Sequence, residues 1–189
     1  AHTPIKWHKP LFEHANKIGI TIFSSPFDQD AVQLLEELGA PAYKIASPEI
    51  VEINLIETCA ATGKPIIIST GMASVEEIEH AVSAARDAGA TNILLLHCIS
   101  AYPTPIEESN LTTIRDLSER YRTSVGLSDH TSGSLAASLA VAQGAVLIEK
   151  HFTLSRYNGA IDNAFSLEPI ELKQLIKDTN TAYFAMGEP

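Results

Sequence analysis

The sequence predicts an α/β protein built on parallel strands, of the (β/α)8 TIM-barrel class. Three observations predict it. Six short runs of strand length alternate with longer stretches of helical period. A glycine stands between most of the helical stretches and the strand that follows. Polar and ionisable residues crowd the C-terminal ends of the strands, where parallel barrels carry their active sites.

The elements follow in order. A helix is expected over Lys6 to Ile18, then strands at Thr21 to Ser25, Tyr43 to Ser47, Pro65 to Thr70, Ile93 to Ser100, Ser124 to His130 and Val146 to Thr153. The last four are apolar along most of their length, as strands covered on both faces should be. Between them lie helices at Asp28 to Leu38, Ile50 to Thr62, Val75 to Ala88, Leu111 to Tyr121 and Gly133 to Gln143, and a final one spans Glu168 to Met186. Gly19, Gly39, Gly63, Gly89 and Gly144 sit where a left-handed residue ends a helix. Asp28 is a candidate N-cap, and Ser74 with Glu77 makes a capping-box pattern.

A complete barrel takes about 250 residues. The 189 residues here are therefore expected to be six of eight units, with the first two missing. The alternative is a complete six-stranded doubly wound sheet. No Gly-x-Gly-x-x-Gly turn follows any strand, which argues against a dinucleotide-binding version.

Composition narrows the function. Hydrophobic residues make up 45% and charged residues 19%, the mix of a globular domain. A net charge of −10 offers no basic stripe to neutralise phosphates, so no nucleic-acid partner is expected. No apolar run is long enough to span a membrane, and no secretory signal pattern is visible. Two cysteines, Cys59 and Cys98, make no disulfide framework, and a cytoplasmic location is expected.

The strand ends carry the candidate chemistry. His130 and His151 close the last two strand segments and lie 21 residues apart, one β-helix-β step. Such a step can bring both imidazoles to one end of a parallel sheet, where they either bind one divalent ion or sit as buried, hydrogen-bonded rings. Alternation along the strand puts Ser128 on the face of His130 and Glu149 on the face of His151. His97 is a possible third ligand, although a structural or substrate-contacting role suits it better. His2, His8, His14 and His80 fall on terminal or helical stretches. Ser69-Thr70-Gly71 ends a strand and opens a helix, which suits phosphate or carboxylate. Ser47, Ser100 and Ser128 lie at the same level, beside Lys44. A lysine inside a strand needs an anion as partner, or serves as a Schiff-base lysine. Glu49 and Asp162 are carboxylates near this rim, fit either for binding sugar hydroxyls, for moving protons or for capping.

Taken together, these motifs closely resemble the sialic acid synthase family, which condenses phosphoenolpyruvate with an amino sugar to give nonulosonic acids. The resemblance runs through His2-Thr3-Pro4, Trp7-His8-Lys9-Pro10, Phe23 to Asp28, Tyr43 to Ser47, Ile68 to Met72, Ser100 to Pro103, Gly126 to Thr131, Glu149 to Thr153 and Phe165 to Pro169. Within that family, Asp162-Asn163-Ala164-Phe165-Ser166 is more similar to pseudaminic acid synthases than to sialic acid synthases, which have Asp-His there. The segment Ser100 to Pro103 followed by Ile106 to Leu111 points the same way.

The resemblance implies roles by position. His130 and His151 match metal ligands, with Mn²⁺ expected and Mg²⁺ or Co²⁺ as substitutes. Lys44, Ser47, Ser69 and Ser128 match phosphoenolpyruvate-binding positions, and Ser100 stands where a sialic acid synthase has Asn. Glu49, Tyr102 and Asp162 match positions around the sugar, and Phe27 lines its pocket. Lys44 and Glu49 are the candidate catalytic residues. The expected activity is condensation of phosphoenolpyruvate with an altrose-configured 2,4-diacetamido trideoxyhexose. N-acetylneuraminate or legionaminic acid synthesis, a Schiff-base aldolase, or a sugar-binding fragment without activity are the alternatives. The family also has two more N-terminal β-α units, a C-terminal antifreeze-like domain and a homodimer in which that domain reaches the partner's site. The isolated 189 residues are therefore expected to be inactive.

Overall fold

The computed structural model describes residues 3–159 and 161–187. His2 lies outside them. Contacts divide the chain into two units, one of Ala1–Ile68 with Val75–Ile93, the other of Ser69–Ser74 with Leu94–Pro189.

In the first unit, helices α1 (Ile5–Ile18), α2 (Gln29–Glu37), α3 (Ile53–Ala61) and α4 (Val75–Asp87) accompany strands β1 (Tyr43–Ile45) and β2 (Ile66–Ser69). β1 and β2 pair in parallel, with Tyr43, Lys44 and Ile45 opposite Ile66, Ile67 and Ile68. Every residue of both strands is buried, and Ile45, Ile66 and Ile68 are wholly so. This is the continuous apolar run expected of a strand covered on both faces. Asp28 caps α2 by accepting from the Ala31 N–H at 2.7 Å. A single 3-10 turn, Ser47–Val51, stands between β1 and α3. That turn is why the helix expected from Ile50 begins three residues later.

One expected strand does not form. Thr21 to Ser25 contributes only an isolated bridge, Ser24 to Tyr43. Its Thr21, Ile22 and Phe23 favour extended chain, but a strand needs a ladder of partners, and this segment finds one rung. The described residues therefore hold five strands rather than six.

In the second unit, β3 (Ile93–Cys98), β4 (Ser124–Asp129) and β5 (Ile148–Lys150) pair in parallel in chain order. Helices α5 (Thr113–Tyr121), α6 (Leu135–Ala142) and α7 (Pro169–Met186) accompany them. Ala137, Leu167 and Leu175 pack into a buried cluster that Ile148 and Leu172 extend, joining α6, β5 and α7. Strands β3, β4 and β5 are shorter than expected at their C-terminal ends. There the backbone leaves the ladder for other partners: the His130 carbonyl accepts from the Thr104 N–H, the His151 carbonyl from the Leu167 N–H, and Thr131 is held by side chains. The two cysteines form no disulfide and are buried, one in each unit. Burial pushes the Cys59 thiol up to about 12, so it stays protonated.

Gly126 in β4 has a steric reason. A Cβ there would lie 2.4 Å from the Leu147 carbonyl oxygen and 2.7 Å from a Leu96 methyl. The Leu147 oxygen is also the acceptor for the Leu127 N–H at 2.8 Å, so the chain leading into β5 passes directly over the glycine.

Candidate functional site

The second unit brings a ring of aromatic and ionisable groups to the C-terminal ends of β4 and β5. The His130 and His151 ring centroids are 5.2 Å apart. Tyr102 packs on His130 at 4.3 Å, and Phe165 lies 5.0 Å from His151 and 5.6 Å from Tyr102. Phe165 is buried, whereas Tyr102 is half exposed and forms the outer wall.

Neighbours fix the orientation of His130. Its Nδ1–H donates to the Ile99 carbonyl at 2.9 Å, with the Cys98 sulfur at 3.9 Å. Because the partner at Nδ1 is an acceptor, the proton belongs there and Nε2 keeps its lone pair. For His151, Asp162 Oδ2 lies 3.7 Å from Nδ1, an ion-pair distance rather than a hydrogen bond. The two rings also titrate apart. Burial opposes a charge on His130, but Cys98 and the Ile99 carbonyl outweigh it and raise its pKa above the usual range. Burial lowers the pKa of His151, and the His130 charge lowers it further. The first proton taken up by the pair therefore sits on His130.

Below the rings lies a second polar pair. Ser128 donates to Glu149 Oε1 at 2.6 Å, and these two are register partners across β4 and β5. The Glu149 charge acts on His130, His151 and Tyr102 alike, raising the pKa of each. The pKa of Tyr102 is raised first by burial. Ser69 is buried, with its hydroxyl unpartnered. Thr70 at the end of β2 donates to the Leu96 carbonyl at 3.0 Å and so serves structure.

The chemistry of this donor set fits a divalent ion. Two neutral imidazoles, one with its tautomer set by a backbone carbonyl, are a common arrangement for metal-ligating histidine. The protein supplies two donors rather than a closed cage. Among the described residues, no three His, Cys, Asp or Glu side chains converge as ligands. His97 is not a third one: its Nε2–H donates to the Ser109 carbonyl at 2.8 Å, and burial lowers its pKa.

The first unit holds the other candidates. Lys44 is buried in β1, its Nζ 3.4 Å from the Ile45 carbonyl. Ser47 is buried at the start of the 3-10 turn that also carries Glu49, whose Oε2 is buried without a partner. Phe27 is 65% exposed. His14 and His80 are exposed on helices, and His8 bonds to the Ile5 carbonyl of its own helix. Within the second unit, His130, His151, Tyr102 and Asp162 come together, Ser128 enters through Glu149, and Ser100 lies beside Tyr102. Strand register adds Glu149, and ring packing adds Phe165, to which sequence reasoning assigned no role.

The family model described as "NeuB family" matches residues 1–189. The chain is 46% identical over its whole length to the pseudaminic acid synthase of Helicobacter pylori, covering 55% of that protein. It is 44% identical to the N,N'-diacetyllegionaminic acid synthase of Campylobacter jejuni, over 97% of this chain and 56% of that one. The crystal structure of N-acetylneuraminic acid synthetase from Leptospira borgpetersenii superimposes with a TM-score of 0.95 at 38% identity, over 99% of this chain and 65% of that one. A DAHP synthase from Thermotoga maritima shares the fold alone, with a TM-score of 0.82 at 19% identity. The chain spans about half the length of the curated relatives it matches. With the family model covering the entire chain and pseudaminic and legionaminic acid synthases among its relatives, the chain belongs to the NeuB family.

Proposed function

We propose that the whole protein condenses phosphoenolpyruvate with a 2,4-diacetamido-2,4,6-trideoxyhexose of altrose configuration, as a pseudaminic acid synthase. The observation that carries the proposal is the convergent His130–His151 pair in a chain of this family. The substrate choice rests on Asp162-Asn163-Ala164-Phe165-Ser166 and on the similarity to a pseudaminic acid synthase; sialic and legionaminic acid synthesis are the alternatives.

In this reaction C3 of phosphoenolpyruvate attacks the aldehyde carbon of the open-chain sugar, water adds at C2, and phosphate leaves with C–O cleavage. His130 and His151 would hold a divalent ion, Mn²⁺ by preference, which supplies Lewis-acid polarisation of the aldehyde oxygen. His130 presents a fixed Nε2 because Ile99 occupies its other nitrogen. Tyr102 and Phe165 shield the ring pair from water. Ser69 and Ser100 offer hydroxyls to carboxylate and phosphate, Ser128 does so on giving up its bond to Glu149, and Asp162 offers an exposed carboxylate to sugar hydroxyls. Lys44 and Ser47 are assigned to the phosphoenolpyruvate anion, Glu49 to proton transfer and Phe27 to the sugar pocket. A homodimer and a C-terminal antifreeze-like domain belong to the same proposal.

The test is phosphate release by the whole protein. Release should require both sugar and divalent metal, should prefer the altrose-configured sugar over N-acetylmannosamine in competition, and should vanish in H130A and H151A. Absence of sugar-dependent release with Mn²⁺ would sink the proposal. Borohydride trapping of a pyruvate adduct on Lys44, insensitive to chelator, would favour an aldolase instead.

A further inference from the structure

β4 and β5 end in three successive cross-strand pairs. Ser128 stands opposite Glu149 and Asp129 opposite Lys150 in the parallel register, and the His130 and His151 rings follow. Side chains alternate faces along a strand. The histidines therefore share a face with Ser128 and Glu149, while Asp129 and Lys150 lie on the other. The side chains of this middle pair are 1% and 4% exposed.

Their contacts converge on one backbone position. Lys150 Nζ donates to Asp129 Oδ2 at 2.7 Å and to the Thr131 carbonyl at 2.5 Å. Asp129 Oδ1 accepts from the Thr131 N–H at 2.8 Å. Both polar backbone groups of the residue after His130 are thus held by side chains. The His130 carbonyl accepts from the Thr104 N–H at 3.0 Å, and its ring is tied to Ile99. The strand ladder stops at Asp129, and this network takes over two residues later, at Thr131.

A buried ion pair is a poor source of stability, because desolvation offsets most of the attraction; its best-attested use is to fix register and orientation. We propose that Asp129 and Lys150 are positioning residues, a buried clamp behind β4 and β5 that sets the spacing and aim of His130 and His151 so that both rings can address one ligand. The inference rests on the metal-dependent reading of that pair. A hydrophobe of equal length at 150 would fill the space but leave the Thr131 carbonyl unsatisfied and the Asp129 charge alone.

The test uses the double variant D129N/K150M in the whole protein, which removes both charges together and leaves no lone buried ion. It is expected to keep native circular dichroism while binding Mn²⁺, followed by electron paramagnetic resonance, about 10–100-fold more weakly, the usual range for groups that orient metal ligands. The visible spectrum of the Co²⁺ form should change in the same variant. Wild-type Mn²⁺ affinity in a folded D129N/K150M overturns the proposal. If the double variant does not fold, D129N alone carries the same expectation and the same refutation. If the wild type binds neither ion, the metal reading fails, and ¹⁵N shifts of the His130 ring decide the clamp by themselves. Loss of the single Nδ1–H tautomer in D129N/K150M supports it, and an unchanged ring overturns it.

Discussion

At the scale of single residues, the site shows how neighbours decide what a histidine does. His97, His130 and His151 all stand at strand ends, and the sequence set His97 apart as better suited to a structural or substrate-contacting role without showing why. The structure separates them by what lies at each nitrogen: a carbonyl on Nε2 for His97, a carbonyl on Nδ1 for His130, a distant carboxylate for His151. Those partners come from Ser109, Ile99 and Asp162, all on loops whose paths no periodicity predicts. His97 yields a prediction about pH. Burial lowers its folded pKa below the unfolded value of about 6.5. On acidification the unfolded chain takes up the proton first, so this contribution is complete above about pH 6.5 and is lost as pH falls below it. Urea midpoints measured from pH 7.5 to 5.5 should therefore decline in the wild type, and H97Q should flatten the decline. An equal slope in H97Q would assign the effect elsewhere.

At the scale of elements, hydrophobic runs and helix-ending glycines located every strand and α-helix among the described residues, though none of the short 3-10 turns, because burial on both faces and left-handed helix ends leave a mark in the sequence. The error at Thr21 to Ser25 is equally physical: strand propensity is local, but pairing is not. Gly126 carries the sharpest element-scale prediction. G126A would drive a methyl into the Leu147 carbonyl and displace the bond that Leu127 makes to it. The expected loss is about 1–3 kcal/mol of stability, the usual cost of overpacking, read as a lower denaturation midpoint. An unchanged midpoint would show that the chain before β5 can move aside. A second element, α7, begins with a reciprocal capping box between Glu168 and Glu171. Arg156 joins it, its amide donating to Glu168 and its guanidinium paired with Glu171. E171A releases both the box and Arg156, and is expected to cost about 0.5–2 kcal/mol, the range for lost helix caps; thermal melting of the variant measures it.

At the scale of the whole molecule, family membership was legible because many short motifs stand in a fixed order, which no single motif could show. What could not be read was the inner ladder of β4 and β5: the clamp of Asp129 and Lys150 depends on register, and register appears only in three dimensions. If the histidine pair binds metal, the native state gains stability by mass action, about 2.7 kcal/mol at a hundredfold excess over the dissociation constant. Mn²⁺ should then raise the melting temperature of the wild type and leave H130A/H151A unmoved, and chelator should reverse the rise. The two cysteines extend this to folding. Cys59 is fully buried in one unit and Cys98 nearly so in the other. Neither thiol meets a reagent while its own unit is closed. The molecule thus contains two native reporters: maleimide labelling through a urea titration, resolved by peptide mass, would show whether the halves of this chain open in one transition or in two.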